Sequence, residues 1–206
     1  YAELDGAILA GALDALRRFE AIGARGVVGA SVHASTLRHQ RTRNAYFAML
    51  GAAPHALLQR LVIKVAEVDA GAPMWTLTEW AAQLRAHVRQ AAFEMHHSER
   101  GLDQLADTKA WAVGFQMPPH RPDAPEAAHR LLLSNVSHWL RMTQRQNLHL
   151  FVEQPRSLKL VSAMKQMGVD FMTSEALWPA RPDPQDAYSA PLFPGSAPGS
   201  GRHRAA

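Results

Sequence analysis

The sequence predicts an α/β fold in which parallel strands alternate with helices. Short runs rich in apolar residues, such as Val27 to His33 and Leu61 to Val65, alternate with segments whose apolar residues recur at helical spacing. Successive strand candidates lie roughly 20 to 40 residues apart, as crossovers between parallel strands require. The strand runs are apolar without strict alternation, which is typical of strands covered on both faces.

Six strands are predicted, and the run Leu61 to Val65 is the clearest because it is rich in β-branched residues. In chain order they are Val27 to His33, Leu61 to Val65, Ala91 to Met95, Trp111 to Gln116, Leu148 to Val152 and Val169 to Met172. No glycine-rich phosphate loop follows the first strand, which weakens a dinucleotide-binding doubly wound sheet. Periodicity leaves an open doubly wound sheet and a closed barrel both possible, and favours the barrel only slightly.

Helices are predicted between the strands. The first helix is followed by Gly23 and Gly26. Its apolar stripe consists of Leu4, Ile8, Leu9, Ala12, Leu13, Leu16 and Phe19. A second helix is expected from Asn44 to Leu50. A third follows the capping-box pair Thr76 and Glu79, with Trp80, Leu84 and Val88 on its apolar face.

Two further helices are predicted in the second half of the chain. A long one runs from Pro125 to about Gln146, with Asp123 as its cap. Its apolar face is expected to consist of Leu131, Leu132, Val136, Trp139 and Leu140. The last helix begins at Pro155 and ends at Gly168.

The composition excludes several classes of protein. The chain has no cysteine, so it has neither disulfides nor a thiolate metal site. No apolar run reaches the length of about 20 residues that a membrane span needs. The net charge is +4, but the arginines are scattered and the densest cluster, Arg38, Arg41 and Arg43, is short. We therefore interpret the charge as a solvated basic surface and expect no nucleic-acid polymer as a partner.

The two ends of the chain differ in character. The chain opens with YAELDG inside a predicted helix, which suggests that other residues precede it. From Arg181 onward it is rich in Pro, Gly, Ser and Ala and has few large apolar residues. We expect a barrel domain over residues 1–180 and a disordered tail over residues 181–206.

Several segments, taken in order, resemble the EAL family of cyclic di-GMP phosphodiesterases. Ser31 to Ser35 with Leu37 resembles the family's VNxS…L strand end, and Leu61 to Glu67 resembles its LxxExTE strand. Ala92 to Leu105 corresponds to the DDFG segment and the loop after it. Leu150 to Glu153 resembles the EGVE strand, and Gly168 to Phe171 resembles the GxDxxQG ending, with Pro179 near the family's terminal proline.

The resemblance implies a modified (β/α)8 barrel of the EAL type, incomplete at the N-terminus. The family's first strands, including the EAL tripeptide, would precede Tyr1. In the family, carboxylates and an Asn at the strand ends hold two divalent cations, which activate a water that attacks a phosphodiester. Such hard cations need oxygen ligands, and paired cations stabilise the attacking and leaving oxygens.

Most positions that match the family's metal ligands and catalytic groups are replaced. His33 stands at the Asn position and Lys64 at the liganding Glu, while the Asp pair matches Phe93 and Glu94. The catalytic Lys matches Gly114, the first Glu of the EGVE strand matches Leu150, and the Gln of the last motif matches Thr173. The second acids of two motifs, Glu67 and Glu153, are retained. We therefore predict no catalytic residue and no cofactor, with a vestigial pocket of His33, Lys64, Glu67, Glu94, Glu153 and Thr173.

A replacement metal site is not expected. Its candidate ligands would be His33, Glu67, Glu94, His96 and His97, but no HxxxH or HExxH helix pairing is present, and adjacent histidines in a loop usually point apart. The tryptophans are interpreted as core or interface residues rather than base-stacking platforms: Trp75, Trp80, Trp111, Trp139 and Trp178.

Two functions remain open at this stage. The favoured hypothesis is a non-catalytic module of a bacterial cytoplasmic signalling protein, which binds another protein or an upstream regulatory domain. The loop at residues 96–100 resembles the family's dimerisation region, so a homodimer is a further expectation. The alternative is a cyclic di-GMP receptor that binds without hydrolysis, in which the charge of Lys64 neutralises a phosphate and His33 or Arg100 assists.

Overall fold

The computed structural model describes residues 1–99, 103, 105–119, 125–174 and 177. Six strands form one parallel sheet in strictly sequential order. They are β1 (Val28–His33), β2 (Leu61–Ala66), β3 (Gln90–Glu94), β4 (Ala112–Gln116), β5 (His149–Glu153) and β6 (Phe171–Thr173). A doubly wound sheet reverses its strand order at a switch point, so the sequential order identifies this sheet as part of a barrel wall. All six predicted strands are confirmed within a few residues.

Seven helices and one 3-10 helix, Leu105–Thr108, are found in the described part of the chain. The helices are α1 (Ala2–Ala21), α2 (Ala34–Arg38), α3 (Gln40–Ala52), α4 (His55–Leu58), α5 (Met74–Arg85), α6 (Glu126–Arg145) and α7 (Leu158–Met167). The short helices α2 and α4 were not predicted. Gly168 ends α7 as expected, with the left-handed φ of 93° that favours glycine. None of the described helices is long and apolar enough to cross a membrane.

The capping box predicted for α5 is wrong. The helix begins at Met74 after Pro73, and Thr76 already donates its backbone N–H to the carbonyl of Pro73 at 3.0 Å. Pro73 is the N-cap of the helix, with φ −58° and ψ 131°, and its ring fixes that φ. The helix therefore starts earlier than the polar pair suggested. Glu79 accepts a hydrogen bond from Gln83 at 2.9 Å instead of capping the helix.

Two leucines assigned to apolar stripes lie on the solvent side of their helices. Leu131 is 74% exposed, whereas Trp139 on the same helix is fully buried. Successive helical residues are rotated by about 100°, so only one of two adjacent leucines can face the core, and Leu132 is the one that packs there. In α1, Leu4 is 52% exposed because the next residue, Asp5, occupies the core-facing position.

Two further expectations involve parts of the chain that the structure does not describe. The residue at the N-cap of α6 is Pro125, so the prediction that Asp123 is the cap is wrong; Asp123 itself lies outside the described residues. The tail expected over residues 181–206 lies outside them as well, together with Pro179. The expectations for the tail and for Pro179 therefore stay predictions.

The tryptophans divide between core and surface. Trp80 and Trp139 are buried, as predicted, whereas Trp75 in the first turn of α5 is 68% exposed and belongs to no core. Trp111 is partly buried against a small cluster on the inner face of the sheet. Trp178 lies outside the described residues.

The two faces of the sheet carry different types of side chain. Alternate residues of each strand point to opposite faces, and the helix-facing set is fully or nearly fully buried: Val32, Ile63, Val65, Phe93, Val113, Phe115, Leu150 and Val152. The opposite, inner face contains the polar side chains that end the strands. The fold thus brings these polar residues together on one face.

Candidate functional site

Three charged side chains from three strands meet on the inner face of the sheet. The Nζ atom of Lys64 in β2 lies 2.8 Å from Oε2 of Glu94, at the end of β3. The same Nζ donates to both carboxylate oxygens of Glu153, at the end of β5, at 2.8 and 2.7 Å. All three side chains are largely buried, with 14–22% of each exposed. We call Lys64, Glu94 and Glu153 the ion triad.

The triad holds the ammonium of Lys64 in its charged form. Burial lowers the pKa of Lys64, but the carboxylates of Glu153 and Glu94 raise it by more, so the pKa lies above its usual value. Charge-assisted hydrogen bonds to both carboxylates account for this preference. Because two carboxylates surround one ammonium, the triad as a whole is negative by one charge. Lys64 is therefore already neutralised within the protein.

A close packing of Gly114 against Phe151 occupies the middle of the inner face. These residues are register partners in β4 and β5. A Cβ atom on Gly114 would lie 2.0 Å from the carbonyl oxygen of Phe151 and 2.5 Å from its ring. The ring of Phe151 also lies 5.9 Å, centroid to Nζ, from Lys64. Position 114, which the resemblance predicted to match the family's catalytic lysine, thus has no room for any side chain.

Substituting Gly114 tests this packing. We expect Gly114→Ala to lower the free energy of unfolding by about 1–3 kcal/mol, or more, because the added methyl overlaps backbone as well as ring atoms. In the background Phe151→Ala, the added cost of Gly114→Ala should become smaller, since the ring is gone. Urea unfolding of the four proteins of this double-mutant cycle measures the coupling. Equal costs in both backgrounds would refute the contact with the ring.

Two other positions, which the resemblance predicted to be replaced metal ligands, do not face the site. Phe93 and Leu150 are both fully buried in the helix-facing core. Each lies next in sequence to residues that point to the inner face, Glu94 and Phe151. Side chains at positions 93 and 150 cannot reach the inner face without a shift in register.

His33 at the end of β1 is held by a carboxylate that sequence reasoning missed. Asp5 in α1 is completely buried, and its Oδ1 lies 2.6 Å from Nδ1 of His33. Its Oδ2 accepts hydrogen bonds from the backbone N–H of His33 at 3.1 Å and from the hydroxyl of Thr36 at 2.5 Å. The ring of Tyr1 stacks on His33 with centroids 4.1 Å apart. The sequence did contain a signal for this contact. Asp5 lies one helical turn before Leu9, so its carboxylate falls on the apolar, core-facing side of the predicted helix.

An open cleft of about 540 Å³ lies at the carboxyl ends of β2 to β5. Catalytic and binding groups of (β/α) barrels come from this end of the strands. The cleft is lined by Glu67, Val68, Asp69, Ala70, Glu94, Met95, His96, His97, Gln116, Met117, Pro118, Pro119, Gln154 and Arg156. Glu67 and Gln154, which directly follow β2 and β5, adopt left-handed φ values of 54° and 59°.

The adjacent histidines do not point apart as expected. The rings of His96 and His97 lie together, with centroids 4.3 Å apart. Burial and the neighbouring His96 lower the pKa of His97, so its ring is neutral at pH 7. The loop is anchored to α6, because the side-chain N–H groups of Asn135 and Trp139 donate to the carbonyl of His97 at 2.9 and 3.1 Å. These hydrogen bonds fix the backbone of the loop at His97.

The six predicted pocket residues are only partly assembled. Lys64, Glu94 and Glu153 meet in the ion triad, whereas His33 pairs with Asp5. Glu67 lies at the cleft without contact to the triad, and the carbonyl of Thr173 accepts a hydrogen bond from the backbone of Gln154 at 2.7 Å. Arg100, suggested as a phosphate ligand, lies outside the described residues.

A pair of divalent cations does not fit the residues of this site. Within the described ranges, no group of three or more His, Asp or Glu side chains is arranged to hold a metal ion. The carboxylates of Glu94 and Glu153, which hard cations would require, instead bind the ammonium of Lys64. A cation placed between them would meet that positive charge directly.

The structure of this chain is similar to several solved structures, although its sequence matches no known family. No protein-family model matches the sequence, and no curated protein matches it. The structure is similar to the PaMucR phosphodiesterase in its c-di-GMP complex, with 16% identity and a TM-score of 0.60 over 86% of this chain and 79% of that one. It is also similar to the EAL domain of Xanthomonas citri FimX in complex with c-di-GMP, with 14% identity and a TM-score of 0.62 over 85% and 68% of the two chains.

A third similar structure is an EAL domain protein from Listeria monocytogenes EGD-e, with 12% identity and a TM-score of 0.58. That match covers 79% of this chain and 64% of the Listeria chain, so this chain spans less than two thirds of that protein. At sequence identities of 12–16%, structural similarity shows a shared fold and no more. The chain therefore has the fold of an EAL domain, an incomplete TIM-like barrel with six parallel strands in its described part.

Proposed function

We propose that this chain is a non-catalytic EAL-like module that acts in bacterial signalling through contacts with another protein. The observation that carries the proposal is the ion triad. Phosphodiester hydrolysis of the kind implied by the resemblance needs cations held by carboxylates at the strand ends. Here the two inner-face carboxylates, Glu94 and Glu153, are both engaged by Lys64.

The packing of the inner face supports the same conclusion. Gly114 has no space for a lysine beside Phe151, and the side chain of Leu150 is buried on the other face. Each of these positions matches a catalytic or ligand position of the resembling family. A barrel that stays well packed without the groups for phosphodiester hydrolysis is expected to act through contacts of its surface with another protein.

The ion triad also weighs against the receptor alternative. That hypothesis gives Lys64 the task of neutralising a phosphate, but its ammonium already makes three short contacts with two carboxylates. A phosphate that approached Lys64 would meet the surplus negative charge of the triad. Recognition of a phosphate by an ammonium needs that charge to be available.

Calorimetric titration of the chain with cyclic di-GMP tests the proposal. We expect no heat and no thermal shift with magnesium, with manganese or with a chelator, and no hydrolysis of the dinucleotide. The FimX EAL domain, which resembles this chain and is known in complex with c-di-GMP, is the positive control. Micromolar binding that persists in the chelator would establish the receptor alternative. Hydrolysis dependent on the cations would overturn the non-catalytic assignment.

A further inference from the structure

The parallel sheet gathers basic side chains at one end of the fold. All six strands run in the same direction, so the connections that lead into them lie together, at the end opposite Glu94 and Glu153. We call this end the amino-terminal rim and define it as residues 18–27, 55–60, 85–90, 105–111, 144–149 and 165–170. The rim has eight Lys and Arg residues against three carboxylates, a net charge of +5, whereas the whole chain carries +4. Cations that are scattered along the sequence are therefore concentrated by the fold.

The ends of helices account for only half of these cations. Four lie in the last turns of helices, where a cation offsets the negative end of the helix dipole: Arg18, Arg85, Arg145 and Lys165. The other four lie in the connections that lead into the first four strands: Arg25, Arg60, Arg89 and Lys109. Arg60 donates to the carbonyls of Ala24 and Gly26 at 3.0 and 2.9 Å. The charged groups of Arg25, Arg89 and Lys109 are exposed and have no ion pair or hydrogen bond within the described ranges.

Large apolar side chains are exposed at the same end. Ile22 is 61% exposed and Val27 is 50% exposed, on either side of Arg25 in the chain. Phe171, directly after the rim at the start of β6, is 41% exposed, and its ring lies 5.0 Å from that of Trp111, centroid to centroid. Transfer of such side chains out of water is favourable. The end of the barrel thus offers cations and apolar side chains together.

This combination fits a lipid bilayer better than it fits a polyanion in solution. Strands spaced about 4.8 Å apart distribute the rim's cations across the end of the barrel, where a planar surface of anionic head groups can meet several of them at once. Apolar side chains beside them can enter the boundary between head groups and acyl chains. A nucleic-acid backbone or an acidic peptide offers anions but no hydrocarbon layer in which Ile22 and Val27 could be buried.

We propose that the amino-terminal rim binds the surface of an anionic lipid bilayer. Arg25, Arg89 and Lys109 lie against the lipid phosphates, and Ile22 and Val27 enter the head-group region. Anionic head groups attract clustered basic side chains that come within a Debye length of the surface. The proposal goes beyond the proposed function, because the rim lies at the end of the strands opposite the ion triad and leaves the other end free for a protein partner.

Co-sedimentation of the whole chain with lipid vesicles tests this proposal. Vesicles of phosphatidylcholine alone are compared with vesicles in which about one third of the lipid is phosphatidylglycerol. We expect binding to the anionic vesicles to be about tenfold tighter or more. The difference should disappear at about 1 M salt, where the Debye length falls to about 3 Å. Equal binding to both kinds of vesicle, or binding to neither, would overturn the proposal.

Two triple variants of equal net charge locate the contact. The rim variant combines Arg25→Gln, Arg89→Gln and Lys109→Gln. The control variant combines substitutions of exposed residues near the starts of α3, α6 and α7, at the other end of the barrel: Arg41→Gln, Arg130→Gln and Lys159→Gln. We expect the rim variant to bind anionic vesicles about tenfold more weakly and the control to lose about twofold at most. Equal losses would show a dependence on net charge alone and would overturn the proposal; circular dichroism confirms that both variants are folded.

A single apolar substitution and a soluble polyanion separate a membrane from an acidic protein. Ile22→Ser should weaken binding to anionic vesicles by about threefold or more, whereas Leu131→Ser, at a 74% exposed position of α6, should leave it unchanged. If polyglutamate bound as tightly as the anionic vesicles and Ile22→Ser weakened neither, the rim would bind an acidic protein and the assignment to a membrane would be overturned. The cyclic di-GMP titration concerns the opposite end of the strands, so either proposal can fail without the other.

Discussion

Replacing Lys64 by Met is expected to lower the free energy of unfolding by about 3–5 kcal/mol at pH 7. The substitution keeps the length of the side chain but removes the ammonium from between Glu94 and Glu153, which leaves two largely buried carboxylates facing each other. Breaking a buried pair by removing one partner costs far more than the pair contributes, since the remaining charge is uncompensated. Chemical denaturation with circular dichroism measures the loss.

Two comparison proteins separate the charge effect from simple loss of packing. The triple variant, Lys64→Met with Glu94→Gln and Glu153→Gln, removes all three charges and should recover much of the stability. Lys159→Met, at an exposed position of α7, should change stability by no more than about 0.5 kcal/mol. If Lys64→Met were as mild as Lys159→Met, the ion triad would not contribute to the fold.

The difference in unfolding free energy between the original chain and Lys64→Met should change with pH in a direction that the pKa of Lys64 determines. The pKa of Lys64 is raised in the folded protein, so its contribution is complete below the ordinary lysine pKa of about 10.4. The contribution is lost as pH rises through the higher folded pKa. The stability gap between the original chain and Lys64→Met should therefore narrow at strongly alkaline pH. A gap that widened there would contradict the pairing.

Asp5→Asn is expected to cost about 2–4 kcal/mol, because hydrogen bonds to a charged acceptor contribute about 1.5–3 kcal/mol each and a buried unpaired donor adds a penalty. The carboxylate of Asp5 accepts from the backbone and ring of His33 and from Thr36. An amide offers one acceptor oxygen and turns an N–H group toward the remaining donors. Urea unfolding measures the change.

The matched control for Asp5→Asn is Asp14→Asn in the same helix. Asp14 is 57% exposed and pairs with the exposed Arg17 three residues later, so its loss should change stability by about 0.5 kcal/mol or less. Both substitutions remove one carboxylate from α1 and differ in burial. Equal effects would show that the contacts of Asp5 with β1 and α2 do not stabilise the protein.

Much of the fold could be predicted because its signals are local. β-Branched runs such as Leu61 to Val65 indicate strands, and Gly168 ends a helix by its freedom to adopt a positive φ. Comparison with the LxxExTE strand of the resembling family also predicted that Lys64 stands where that family has a glutamate. The start of α5 was predicted wrongly, since the helix begins at Met74, directly after Pro73, and not at the polar pair that follows.

The amino-acid sequence was enough to predict six strands, their succession along the chain and the types of residue that end them, whereas the order of the strands within the sheet came from the structure. Which of those residues meet depends on how the strands and helices pack. Lys64 and Glu153 are 89 residues apart, and Asp5 and His33 are 28 apart, so no local periodicity relates them. The packing of Phe151 on Gly114 likewise depends on the register between two strands. Such pairs form when the strands align side by side, and a single sequence records the side chains but not their distances.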